Sequence, residues 1–197
     1  MKVDVSKVVR KYAIIIVLIV LIAVFSFLSP AFATFNNAMN VVRQISMMGI
    51  VTVGFTFVLL GGGLDLSVGS QMAVMNVVMA MMIRDLAMNP VLAILIGIAM
   101  TTAIGWFNGF AISKTGIPPL IATLAMQTAL RELSFILSKG RPVYGIPDSI
   151  KFIGQGYAFG VIPIPGLILA AAIVFGIVLL NKTYLGRHFY ALGSNPE

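Results

Sequence analysis

Cysteine is absent from the 197 residues, and histidine occurs once, at His188. Disulfides, zinc–thiolate sites and cysteine nucleophiles are thereby excluded, and one imidazole cannot build a histidine-rich metal site. Charge is scarce as well. Only 10% of residues are charged, 59% are hydrophobic, and the mean hydropathy is +1.05. Soluble domains carry roughly a quarter charged and about half apolar residues. A water-soluble fold cannot hide this much apolar surface, so lipid is the solvent for most of the chain.

Catalytic motifs are missing too. No Gly-x4-Gly-Lys-Ser/Thr occurs, so the chain is not expected to bind ATP or any other cofactor. There is no Gly-x-Ser-x-Gly elbow, no His-Glu-x-x-His and no pair of intramembrane carboxylates. An intramembrane protease needs a nucleophile or two carboxylates, and Asp65 alone supplies neither. No enzymatic activity is expected.

The net charge of +7 would suggest nucleic acid in a soluble protein. Here the cations sit at segment ends: Lys2, Lys7, Arg10 and Lys11, then Lys114, Lys182 and Arg187. That placement fits topology signals and no nucleic-acid partner.

About 20 apolar residues span a bilayer. Six segments approach that length: Ala13–Leu28, Gln44–Gly63, Leu66–Ile83, Val91–Ile112, Pro119–Leu137 and Val161–Leu180. Pro163 and Pro165 are expected to kink or delay the last. Between the fifth and sixth lies a polar, Pro/Gly-rich loop, Ser138–Gly156. The Ala31-Phe32-Ala33 triplet imitates a signal-peptidase site, but the chain downstream of it is itself membrane-bound, which favours an uncleaved first helix. The fold class expected is all-α: one polytopic transmembrane bundle of about six helices over residues 1–197.

A cytoplasmic N-terminus puts seven Lys and Arg residues inside (2, 7, 10, 11, 114, 182, 187) and five outside (43, 84, 139, 141, 151). The bias is small and of the right sign. Tyr12, Trp106 and Tyr184 then fall near the inner interface. Ala93, Gly97, Thr101, Gly105 and Gly109 recur every four residues in segment four, a small-residue face that lets another helix approach closely. No repeat of 20–50 residues is visible.

Gly61-Gly62-Gly63-Leu64-Asp65-Leu66-Ser67-Val68-Gly69-Ser70 is the most informative stretch. Three consecutive glycines should end a helix. Asp65 then lies among apolar segments, where a charge requires a partner or water. One reading makes Asp65 and Ser67 a cap on the N–H groups of the third helix. The other makes residues 61–70 a broken helix lining a solute path, where non-helical backbone faces protein or water. The two are compatible, and neither requires Asp65 to touch solute. In segment five, Thr123, Gln127 and Arg131 draw one polar stripe at four-residue spacing. Arg131 and its neighbour Glu132 point about 100° apart, so each needs a counterpart elsewhere or an aqueous cavity.

The tail, Asn181 to Glu197, is basic and aromatic. It is an interface anchor or a docking element for a cytoplasmic partner.

Two stretches carry a resemblance. GGGLDLSVGS resembles the G-G-I-D-L-S-V-G-S signature of the sugar permeases of bacterial ABC importers, the branched, binding-protein-dependent family that includes ribose, xylose, arabinose, galactose and autoinducer-2 permeases. NKTYLGRHFYALGSNPE resembles that family's T-x-x-G-R-x-x-Y-A-x-G-G-N-x-x-A-A segment. VGFTFVLLGGG, IPPLIATLAM and Arg131 add to the match. Leu64, the third glycine, Glu132 and Ser194 depart from the usual pattern.

The resemblance implies a permease subunit in the bacterial inner membrane that pairs with a second copy or a homologue. It implies two cytoplasmic subunits that bind ATP, and a periplasmic or lipid-anchored solute-binding protein. It puts Gly63, Asp65, Ser67 and Gly69 at the broken-helix signature. Gly186, Arg187, Tyr190, Ala191, Leu192 and Gly193 fall in the segment leading to the ATPase contact. Family members continue for roughly another hundred residues of further helices, so the chain is expected to be a C-terminally truncated portion. A secondary carrier or channel, and a non-transporting assembly subunit, are the rival readings.

Overall fold

The computed structural model describes residues 5–194, with side chains from Tyr12 to Gly193. The basic side chains of Lys2, Lys7, Arg10 and Lys11, and residues 195–197 of the tail, lie outside the described set. Eight helices are present among the described residues: α1 Val5–Leu28, α2 Phe35–Leu60, α3 Val68–Asp85, α4 Pro90–Thr115, α5 Pro119–Ser138, α6 Asp148–Gln155, α7 Ile164–Lys182 and α8 Tyr184–Ser194. Two-residue strands β1 (Tyr157–Ala158) and β2 (Ile162–Pro163) pair antiparallel between α6 and α7.

Four helices, α2, α4, α5 and α7, are long and apolar enough to cross a membrane. The apolar part of α1, Tyr12–Leu28, is shorter. Helix α3 is more polar, yet it supplies three of the five buried core side chains, Val74, Ala80 and Ile83. It packs on α4 and α5, while α2 packs on α7 and α8. The polar helix therefore sits inside and the apolar helices face outward, as expected where lipid replaces water.

Several helix starts follow from local chemistry. Thr34 caps α2 by accepting the Asn37 N–H at 3.2 Å, so the helix begins well before the expected Gln44. Asn89 caps α4, and Pro90 and Pro119 sit where a missing N–H costs nothing. Pro163 is the N-cap of the last long helix and Pro165 lies in its first turn, so the helix is delayed to Ile164.

The stretch expected as a loop over 138–156 contains α6. There Lys151 donates to Asp148 at 2.8 Å and holds that carboxyl below its usual range. The tail forms a helix of its own, α8.

The small-residue face of α4 packs only in its first half. Ala93 is fully buried, and Gly97 sits where a Cβ would lie 3.0 Å from Met75 of α3. Nothing lies within 4 Å of a Cβ placed on Gly105 or Gly109. Close glycine contacts appear instead between α2 and α7, at Gly49 against Leu169 and Gly176 against Val53.

Candidate functional site

Helix α2 ends in the glycine run by a Schellman arrangement. The Gly62 N–H donates to the Leu59 carbonyl and the Gly63 N–H to the Val58 carbonyl, each at 3.0 Å. Gly62 has φ +76, a backbone position that disfavours any side chain. The chain then crosses seven residues, Gly61 to Ser67, before α3 begins. The discontinuity expected over residues 61–70 is thus an ordered connection between two helices.

Asp65 folds back over this connection. Its Oδ1 accepts from the Ser67 N–H at 2.8 Å and from the Ser67 hydroxyl at 2.6 Å. The Ser67 oxygen in turn accepts from the Gln71 side-chain amide at 2.8 Å and from Asn108 of α4 at 3.1 Å. One hydroxyl with one proton and two lone pairs therefore has all three in use, and Ser67 has no exposed surface. The Gln71 amide also reaches Asp65 Oδ2 at 3.4 Å. From α5, the Thr123 hydroxyl is shared between the carbonyls of Leu64, at 3.2 Å, and Pro119, at 2.8 Å. The connection is tied to three helices at once.

Beside this knot lies a cavity of about 430 Å³ whose walls include Gly63, Asp65, Gly105, Asn108, Gly109 and Thr123. The open second half of the α4 glycine face is one of its walls. Asp65 orders the entry to α3 by accepting the Ser67 N–H and also borders this open space, whereas Ser67, expected as a cap, makes no side-chain cap bond to the helix.

Of the other sequence candidates, Gly69 faces away with nothing within 4 Å. The Thr123–Gln127–Arg131 stripe runs along the single helix α5, and its burial falls along its length. Thr123 is buried in the knot and Gln127 is half-buried, but Arg131 is exposed two turns further along α5. Arg131 and Glu132 have no ion pair among the described residues, and both are exposed. Gln71 and Asn108 were not singled out from the sequence. Asn108, a lone amide in an apolar segment, was the available signal for its site.

The tail candidates divide by face. Gly186 is buried against the Leu179 and Leu180 carbonyls at the corner between α7 and α8. Phe189 stacks obliquely on Phe57 of α2, with ring centroids 5.6 Å apart, and Gly193 lies over the Leu60 carbonyl. Arg187, Tyr190, Ala191 and Leu192 remain exposed on the other face, with Arg187 over the Tyr184 ring at 4.3 Å. The tail and the glycine break thus share one end of the bundle.

Residues 37–197 match the family described as branched-chain amino acid transport system / permease component. The chain belongs to this permease family. It is 38% identical over 182 residues to the ribose import permease protein RbsC of Bacillus subtilis, covering 91% of this chain and 56% of that one. The RbsC protein of Escherichia coli K12 is 38% identical over 92% of this chain and 57% of its own length. The L-arabinose transport system permease protein AraH of the same organism is 40% identical over 95% and 56%. The permease chain therefore spans a little over half the length of these relatives. No solved structure matches it. With its apolar helices, it is an integral membrane protein.

Proposed function

We propose that this chain is the membrane-spanning part of a permease subunit in an ATP-driven importer of the bacterial inner membrane, carrying a sugar or sugar-like solute. The printed functions of its relatives, ribose and L-arabinose transport, support the solute class. The observation that carries the reading is the meeting of the ordered break at Asp65–Ser67 with α8 at one end of the bundle. Such a junction suits a subunit that converts a push from a neighbouring protein into movement of helices.

In this reading the exposed face of α8, Arg187, Tyr190 and Leu192, receives a cytoplasmic subunit that binds ATP. The N-terminus is cytoplasmic. Solute passes along the space beside Gly63, Asp65 and Thr123, delivered from outside by a solute-binding protein. Pairing with a second permease completes the unit. The chain itself holds no nucleotide and makes no covalent bond.

Co-expression with the ATP-binding subunit, purification in detergent and measurement of ATP hydrolysis test this. The chain should co-purify and raise hydrolysis, and Arg187→Glu should abolish both effects. Co-purification without stimulation would assign it instead to an assembly role.

A further inference from the structure

At the end of α3 and α5 remote from Ser67 lies a cavity of about 500 Å³ that the transport reading does not use. Arg84, Asp85, Lys139 and Arg141 line it, over a floor that includes Met81 and Leu137. The loop after α5 closes over the end of α3, where a Cβ on Gly145 would lie 3.6 Å from the Arg84 side chain.

Arg84 is engaged with Asp85, its two nitrogens at 2.6 and 2.8 Å from the carboxylate oxygens. Lys139 and Arg141 are exposed and have no ion pair among the described residues. The cavity therefore carries two positive charges beyond the pair. Met81, Leu137, Pro142 and Val143 give it apolar walls, and Leu86, Ile136 and Tyr144, each next in sequence to a wall residue, are 67%, 72% and 75% exposed. Exposed aliphatic side chains at the end of a membrane helix belong in acyl chains, and an exposed tyrosine belongs at the headgroup level.

A free anion would use the cations and ignore the apolar rim. A ligand that uses both has a phosphodiester joined to hydrocarbon, the combination that an anionic phospholipid offers to basic residues at a membrane surface. We infer that this cavity binds the headgroup of an anionic phospholipid, with Lys139 and Arg141 on the phosphate and the acyl chains along Leu86 and Ile136. The inference stands apart from the transport reading, which concerns the other end of the bundle.

Native mass spectrometry of the purified chain, titrated with phosphatidylglycerol or phosphatidylcholine, tests it. The wild type should retain phosphatidylglycerol in preference. Lys139→Gln and Arg141→Gln should each weaken that retention about fivefold and leave phosphatidylcholine unchanged. Lys114→Gln, at the opposite end, should change neither. If Lys139→Gln, at the C-cap of α5, loses helicity by circular dichroism, Arg141→Gln alone decides, since Arg141 lies outside every helix. Equal retention of the two lipids by the wild type, or unaltered phosphatidylglycerol binding by a folded variant, overturns the inference. So does displacement of the lipid by an equal concentration of inorganic phosphate, which would mark a small-anion site. Capture of an acidic protein domain with no lipid preference overturns it as well.

Discussion

Gly193 of α8 lies directly over the backbone carbonyl of Leu60, the last residue of α2, so that a Cβ on Gly193 would overlap that oxygen. The contact seats α8 on the C-terminal end of α2, one residue before the glycine run, and the Phe57–Phe189 ring pair reinforces it. Three residues beyond Gly62 the chain reaches Asp65. Movement of α8 is thus one short step from the Asp65–Ser67 knot.

Gly193→Ala should detach α8 from α2. The overlap is with backbone, which cannot rotate away, and overpacking of this kind costs about 1–3 kcal/mol. Limited proteolysis in detergent should cut near residue 183 sooner in the variant than in the wild type, with α2 to α5 left intact.

Ser67→Ala should be the most disruptive single change in the knot. It leaves the Asn108 amide without its Ser67 partner and takes one bond each from Asp65 and Gln71, because one hydroxyl serves all three. We expect a loss of about 1–3 kcal/mol. Asn108→Leu removes a single interhelical bond and should cost nearer 0.6 kcal/mol, roughly the average for such bonds in membranes. Denaturant titration of both variants and of the double variant should give a coupling of about 0.5 kcal/mol or more. Strict additivity would show that the serine and the amide do not act together.

Asp65→Asn keeps an oxygen for the Ser67 N–H and hydroxyl but removes the charge that strengthens both bonds. Its stability in detergent should fall between those of the wild type and Asp65→Ala. A variant as unstable as the alanine form would mean that charge, and not turn geometry, is what Asp65 supplies.

Gly62→Ala places a side chain at φ +76 and should cost about 1–2 kcal/mol in backbone strain. Gly61→Ala is the control: φ there is −77 and the nearest atoms to a Cβ lie at 3.6 Å, so thermal unfolding should barely change.

What was legible in the sequence was local. Three glycines mark the end of α2 because conformational freedom is a property of the residue itself. Asp65 was legible as an acceptor at the start of α3 because it lies two positions from Ser67, whose N–H and hydroxyl its carboxylate reaches. Apolar length located the long helices, but it missed the first turns of α2, where Asn36, Asn37, Asn40 and Arg43 interrupt the run while Thr34 caps it. Helix α6 was hidden by the prolines and glycines around it.

Long-range partners were the other loss. Asn108 meets Ser67 across 41 positions and Thr123 meets Leu64 across 59, separations that no spacing rule reaches. Arg131 differs from Thr123 in burial, which spacing does not give. Four-residue spacing placed it on one stripe with Thr123, but the core of the knot occupies only the first turns of α5.

The most direct test of the central claim is solute uptake by proteoliposomes containing this chain, a second permease copy and the ATP-binding subunit, supplied with binding protein and ribose or arabinose. The account predicts uptake that requires ATP and the ATP-binding subunit and is lost in Ser67→Ala. Uptake driven by a proton or sodium gradient, with no ATP-binding subunit present, would contradict it.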